Sequence, residues 1–135
     1  VAERTLILVK PDGVARDLVG EVLGRFERKG LRIVALQLRT LDEGTAREHY
    51  AEHEGKAFFA SLVEFITSGP LVAAVLEGSE AIANARNIIG ATNPVTSAPG
   101  SIRGDLATEM SRNIVHGSDS AESAAREIGI FFPDL

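Results

Sequence analysis

The spacing of apolar residues changes several times along the chain, and each change predicts a different element. Leu6-Ile7-Leu8-Val9 is an unbroken apolar run stopped by Pro11-Asp12-Gly13, the pattern of a central strand that carries Lys10 to its carboxyl end. Val19, Val22, Leu23 and Phe26 then fall at helical spacing, and Lys29-Gly30 supplies a basic last turn and a terminating glycine. Residues 32–41 alternate, with Val34, Leu36 and Leu38 on one face and Gln37 and Arg39 on the other, which predicts a half-exposed strand at a sheet edge. Residues 42–66 predict two short helices broken near Gly55, one striped by Ala46, His49, Tyr50 and His53, the other by Phe58, Phe59, Leu62, Val63 and Ile66. After the turn Ser68-Gly69-Pro70, residues 71–76 form a second apolar strand, and Ala81, Ile82, Ala85, Ile88 and Ile89 form a helical face ending at Gly90. From Ala91 to about Arg112 the periodicity disappears, and loops this long inside a compact domain are usually functional. Asn113-Ile114-Val115-His116 reads as a short last strand. A helix is expected from about Ser120, with Asp119 and Glu122 as a capping box and Ala124, Ile128 and Phe131 or Phe132 on its inner face.

That order, strand, helix, strand, helices, strand, helix, strand, helix, is a βαββαβ core with one more helix. It predicts an α+β, ferredoxin-like sandwich: a four-stranded antiparallel sheet with helices on its faces. At 135 residues there is material for one core, so residues 1–135 are expected to form a single domain. A net charge of −5 argues against a nucleic-acid or anionic-membrane surface as the main partner. Zero cysteines exclude disulfides and cysteine-held zinc and fit the cytoplasm. The run Leu6-Ile7-Leu8-Val9 is too short for a signal peptide or a membrane span, so a location inside the cell is expected.

The candidate chemistry gathers at Asn113-Ile114-Val115-His116-Gly117-Ser118-Asp119-Ser120, which puts a lone histidine where a strand ends and a helix begins. Helix N-termini attract anions, and an imidazole held there is a candidate nucleophile towards phosphorus. Gly117 is expected to let a bulky reactant approach the backbone. A histidine that merely packs at a strand end and caps a helix fits the octapeptide equally well. His49 and His53 are four residues apart, but Tyr50 stands where the zinc-protease pattern needs glutamate, so a metal pair is not expected there. No G-x-x-x-x-G-K-[ST] phosphate loop exists.

The octapeptide 113–120 resembles the active-site signature of the nucleoside diphosphate kinases. Further similarity runs through Leu8-Val9-Lys10-Pro11-Asp12-Gly13-Val14, His49-Tyr50, Phe58-Phe59, Thr67-Ser68-Gly69-Pro70, Gly90-Ala91-Thr92-Asn93-Pro94 and Ile102-Arg103-Gly104-Asp105. The resemblance implies the ferredoxin-like fold and a ping-pong kinase. His116 takes the γ-phosphoryl of a nucleoside triphosphate such as ATP and passes it to a second nucleoside diphosphate, which maintains the triphosphate pools. It implies further that Arg86, Thr92 and Arg103 bind phosphates, a task that suits the planar fork of arginine. Lys10 and Asn113 reach the sugar hydroxyls, with Lys10 also near the travelling phosphate. Glu127 orients His116, Ser118 hydrogen-bonds beside it, and Tyr50 packs against the site. Phe58 and Met110 flank the base. Mg²⁺ is expected to arrive on the nucleotide phosphates, with no metal site built by the protein alone.

The departures are few. Met110 stands where the family often has valine, Leu106 where an aromatic is common, Phe131 where tryptophan is frequent, and nothing follows Leu135 where relatives extend. By resemblance the chain is expected to assemble as a homo-hexamer of three dimers, with residues 32–41 covered by a two-fold partner. The loop 92–105, poor in large apolar anchors, is expected to be rigid only when a neighbouring subunit supports it. Two rival classes fit the sequence less well. RNA-recognition domains share the βαββαβ order but carry aromatics on their central strands and lean basic, whereas residues 6–9 and Ile114-Val115 have no aromatic. A silent nucleotide sensor would not need His116.

Overall fold

A computed structural model describes residues 2–135. Four strands, β1 (Glu3–Val9), β2 (Arg32–Arg39), β3 (Leu71–Gly78) and β4 (Val115–Gly117), form one antiparallel sheet in the order β2-β3-β1-β4. Seven helices connect and cover them: α1 (Pro11–Ala15), α2 (Val19–Lys29), α3 (Glu43–His49), α4 (Phe59–Ile66), α5 (Ala81–Ile89), α6 (Ile102–Leu106) and α7 (Ala121–Phe131). The expected architecture is present. Strands β1 and β3 are central because both of their faces are apolar. Ile7 and Val9 point with Ala74 and Leu76 towards α2, α5 and α6, while Leu6 and Leu8 point with Ala73 and Val75 towards α3, α4 and α7. Alternate residues of one strand therefore enter two separate cores.

Four local expectations are corrected. Residues 11–15 are a turn of helix, not simply the end of β1; Pro11 opens it, at a position where its missing N–H costs nothing. Residues 102–106 form the short helix α6 inside the supposed loop, because the Ser101 hydroxyl caps the Gly104 N–H. The same loop is anchored within the chain: Ile102 is fully buried, and the Ser97 and Ser101 hydroxyls bond each other at 2.9 Å. The cap of α7 is Ser120, whose hydroxyl accepts from the Ser123 N–H, so Asp119 and Glu122 do not form the capping box.

Strand β2 carries a bulge between Ile33 and Ala35. It takes Val34 off the face shared by Leu36 and Leu38 and packs it against the α3–α4–α7 side instead. Leu36 and Leu38 remain 56% and 66% exposed, bordering a groove of about 620 Å³ with Val14, Val19, Leu23 and Val72. The strand is thus an edge, as expected, but its apolar face is not buried within the chain.

Candidate active site

Strand β4 brings His116 beside β1, pairing it with Leu8, and α7 begins five residues later. The imidazole is half-buried. Its Nε2 lies 2.8 Å from Glu127 Oε1 on the second turn of α7. Burial pushes the Glu127 carboxyl up, but hydrogen bonds from His116 and from the Ser118 hydroxyl, 2.8 Å away, outweigh this and hold it below the usual carboxylate range. The carboxylate is therefore ionised and accepts, which fixes the proton of His116 on Nε2 and leaves Nδ1 with a free lone pair. The Ser118 hydroxyl in turn accepts from the Leu6 N–H at 3.3 Å, so the pair is tied to β1.

His116 lines a cavity of about 500 Å³. Lys10, Tyr50, Phe58, Arg86, Thr92, Arg103, Met110, Asn113 and Glu127, all named from the sequence, line it together with His116. Ser118 does not line it and acts from behind, through Glu127. Lys10, at the end of β1, donates from Nζ to Asn113 Oδ1, and the Asn113 amide donates to the Thr92 carbonyl at 3.0 Å. Burial, then the nearby Arg103 charge, lower Lys10 to about 8, so it is still a cation at neutral pH. Phe58 and Met110 are exposed at the mouth, 47% and 56%, as two surfaces for a planar group.

The two arginines do more than the motif implied. In the pairing of β4 with β1, the carbonyls of Asn113, Val115 and Gly117 point away from β1, where no further strand lies. Arg103, only 5% exposed, donates from Nε to Asn113 O at 3.3 Å and from Nη2 to Val115 O at 2.6 Å, and Arg86 donates to Gly117 O at 3.1 Å. The open edge of the sheet is closed by guanidinium groups. Arginine suits this because its donors are spread on a rigid plane. Burial and the charge of Arg86 lower Arg103 to about 10, which still leaves it charged.

Gly117 lines the cavity beside His116, and packing on its other side also restricts it. A Cβ there would lie 2.6 Å from Ile89 Cδ1, so glycine is required by the packing of α5 on β4. Ile114 has φ +73°, a left-handed conformation that costs a β-branched residue energy, and the Val115 N–H bonds Asn113 O across it at 2.8 Å. That is the rare, strained form of the γ-turn. It changes the direction of the chain between Asn113 and His116.

Sequence reasoning assigns no site role to four participants. His49 reads from the sequence as part of a helical stripe, of a rejected metal pair and of the His49-Tyr50 match. It is 3% exposed, its ring stands edge-on to that of His116 at 5.0 Å, and burial, then the charge of His116, lower it to about 3, so it stays neutral. Asp12 is 7% exposed and accepts the Ile114 N–H at 3.0 Å. Asp119 and Glu52 also line the cavity. The motifs held a signal for three of them, His49 in His49-Tyr50, Asp12 in Lys10-Pro11-Asp12-Gly13 and Asp119 in the octapeptide 113–120, and none for Glu52.

The chain was then compared with known proteins. The family model described as nucleoside diphosphate kinase matches residues 3–135. A nucleoside diphosphate kinase of Parafrankia sp. (strain EAN1pec) is 67% identical, over 99% of this chain and 98% of the relative. That of Thermobifida fusca is 65% identical, over 98% of each. The crystal structure of a nucleoside diphosphate kinase family protein from Babesia bovis superposes with a TM-score of 0.94 at 50% identity, covering 96% of this chain and 88% of that one.

Proposed function

The chain belongs to the nucleoside diphosphate kinase family, and from that premise we propose how its residues divide the work of phosphoryl transfer. The enzyme is a phosphotransferase that moves the γ-phosphoryl of a nucleoside triphosphate to a nucleoside diphosphate by a ping-pong cycle through phosphohistidine, and so maintains nucleoside triphosphate pools. We infer that residues 1–135 act as one catalytic domain in the cytoplasm, with nucleotides as partners and no nucleic acid required. No helix among the described residues is long and apolar enough to cross a membrane.

His116 Nδ1 attacks the γ-phosphorus, the bond from phosphorus to the bridging oxygen breaks, and the nucleoside diphosphate leaves with that electron pair. A second diphosphate enters the same cavity. Its terminal phosphate oxygen attacks the phosphorus, the P–Nδ1 bond breaks, and its electrons return to the imidazole. No proton need move, because Nε2–H stays on the ring while the Glu127 carboxylate balances the positive charge that develops there. The observation that carries this reading is the pairing of Nε2 with Glu127, which leaves the other nitrogen of this cavity-lining ring free. Arg86 and Arg103 keep donors beyond those spent on carbonyls and hold phosphate oxygens with Thr92. Lys10 and Asn113 meet the sugar and the travelling group, Tyr50 packs the wall, and Phe58 and Met110 sandwich the base. Preorganised cations of this kind supply much of the barrier lowering in phosphoryl transfer.

Enzymes of this family work with a divalent metal, which we assign as Mg²⁺ carried by the nucleotide. No group of three metal-ligating side chains occurs among the described residues, and of the cavity carboxylates Glu127 is committed to His116, leaving Glu52 and Asp119. Such a donor set fits a cation already held by phosphate oxygens and not one resident in the protein. When bound, it neutralises phosphate charge.

We further infer a homo-hexamer of three dimers. The exposed Leu36 and Leu38 on edge strand β2 support a two-fold partner there, and Val95, 79% exposed on the braced 92–105 loop, supports a second contact. Light scattering is expected to give a mass near six chains; one near four would reject the hexamer, and a monomer would reject the edge argument too. The chemistry is tested with γ-labelled ATP and unlabelled GDP. Wild type gives labelled protein and then labelled GTP, whereas His116→Ala, folded by circular dichroism, gives neither. Label transfer by that variant would remove His116 from the role.

A further inference from the structure

Ile114 is held at both ends of its own peptide by the segment that opens α1. Its N–H donates to Asp12 Oδ2 at 3.0 Å, and its carbonyl accepts from the Lys10 N–H at 2.7 Å. Gly13 makes the approach feasible, since a Cβ there would lie 2.9 Å from Val9 Cγ1 and 3.0 Å from Ile114 Cγ2. The strained turn at Ile114 is thus clamped by residues about a hundred positions earlier. On one side of that turn is Asn113, which holds Lys10, and on the other, two residues on, is His116. If the clamp fails, Ile114 relaxes towards ordinary extended or helical angles, and the distance between Lys10 and His116 changes with it.

Asp12 has a second property. Its other oxygen, Oδ1, is buried with no hydrogen-bond partner, a costly state for a carboxylate unless nearby positive charge compensates. The charged and titratable groups around the cavity are Lys10 at the end of β1, His49 on α3 with Tyr50 and His53 just after it, Arg86 on α5, Arg103 on α6, His116 on β4, Glu127 on α7, Glu52, Asp119, and Arg112, which lies over the same Phe65 ring as Lys10. Asp12 and Glu127 are the two buried carboxylates, and Glu127 is committed to His116 and Ser118. Asp12 alone is left to balance Lys10 and Arg103.

We propose that Asp12 is a positioning residue of the phosphoryl-transfer site, which clamps the strained turn at Ile114 between Lys10–Asn113 and His116 and supplies the buried counter-charge that keeps Lys10 a cation. The proposal rests on His116 being the phosphoryl carrier. Its charge role agrees with the direction found for Lys10, which burial and Arg103 lower to about 8 while Asp12 opposes the fall.

Two variants separate the roles. Asp12→Ala loses clamp and charge, and a misplacement of about 1 Å at a reacting centre costs on the order of 100-fold; that is the loss expected in the single-turnover rate of His116 labelling by γ-labelled ATP. Asp12→Asn keeps an oxygen acceptor for the Ile114 N–H, so it recovers most of that loss at pH 7. The basic limb of kcat/KM set by Lys10 is expected to move to lower pH in Asp12→Asn than in wild type, which a purely structural role would not produce. An unmoved limb in Asp12→Asn, or labelling by folded Asp12→Ala within twofold of wild type, overturns the proposal. Should Asp12→Ala not fold, the limb in Asp12→Asn decides alone. Failure of wild type to become labelled at His116 would instead overturn the underlying reading, so the two failures are distinct.

Discussion

The sheet has two edges, and they are finished in opposite ways. At β4 the outward carbonyls of residues 113, 115 and 117 are taken by Arg103 and Arg86, so the edge is closed by side chains of the same chain. At β2 the strand is eight residues long and no further strand pairs with its outward side, while Leu36 and Leu38 stay exposed beside an apolar groove. An edge capped by guanidinium groups cannot accept another strand, and it gathers two cations where phosphate must bind. An edge left bare with apolar neighbours is the one we propose for assembly, as the capped edge is the one we propose for chemistry.

The largest effect should come from uncapping the catalytic edge. Arg103→Ala leaves the Asn113 and Val115 carbonyls without their charged donor and removes a phosphate ligand. We expect a loss of about 3 kcal/mol in urea unfolding and a fall in kcat of order 100-fold. Arg103→Lys should restore little of either, because one ammonium cannot span two carbonyls. Wild-type stability in Arg103→Ala would mean that β4 does not depend on its cap.

At the other edge, Leu36→Asp combined with Leu38→Asp should change assembly rather than chemistry. Light scattering should show a smaller species, while labelling of His116 per chain falls by less than about tenfold, the charges lying at the edge of the sheet opposite β4. An unchanged mass would show that β2 is not an interface.

The smallest effect is a pH dependence that belongs to the β4 side alone. Lys10 has a pKa of about 8 when folded and an ordinary value near 10.5 when unfolded. Between these limits the unfolded chain binds more protons, so this site makes stability rise with pH across that window; below about pH 8 the cost of burying the cation is present in full. The rise should be absent in Lys10→Met, measured as unfolding midpoints from pH 7.5 to 10.5, whereas the Leu36 and Leu38 variants should keep it.

The two edges also differ in how far the sequence reached. Around β4 every named site residue except Ser118 lines one cavity, because the motifs that carry them were readable one by one. What escaped was the work behind them. Asp12 looked like part of a turn and His49 like part of a helical stripe, and the packing of Gly117 against Ile89 left no local trace. At β2 the alternation predicted a half-exposed strand, and the bulge then moved Val34 off the face of Leu36 and Leu38.

Periodicity is a local code. It records which side of each segment avoids water, and it determined the helices α2, α4, α5 and α7, the doubly buried strands β1 and β3, and the βαββαβ order. Lys10 at a strand end and His116 between strand and helix followed from it. The tertiary structure alone decided which nitrogen of His116 is free, which carbonyls Arg86 and Arg103 close, and that Asp12 clamps Ile114. Each of these is a hydrogen bond between groups far apart in sequence, set by the register that pairs Leu8 with His116 and Val9 with Val115, and a register between distant strands leaves no trace in the spacing of either one.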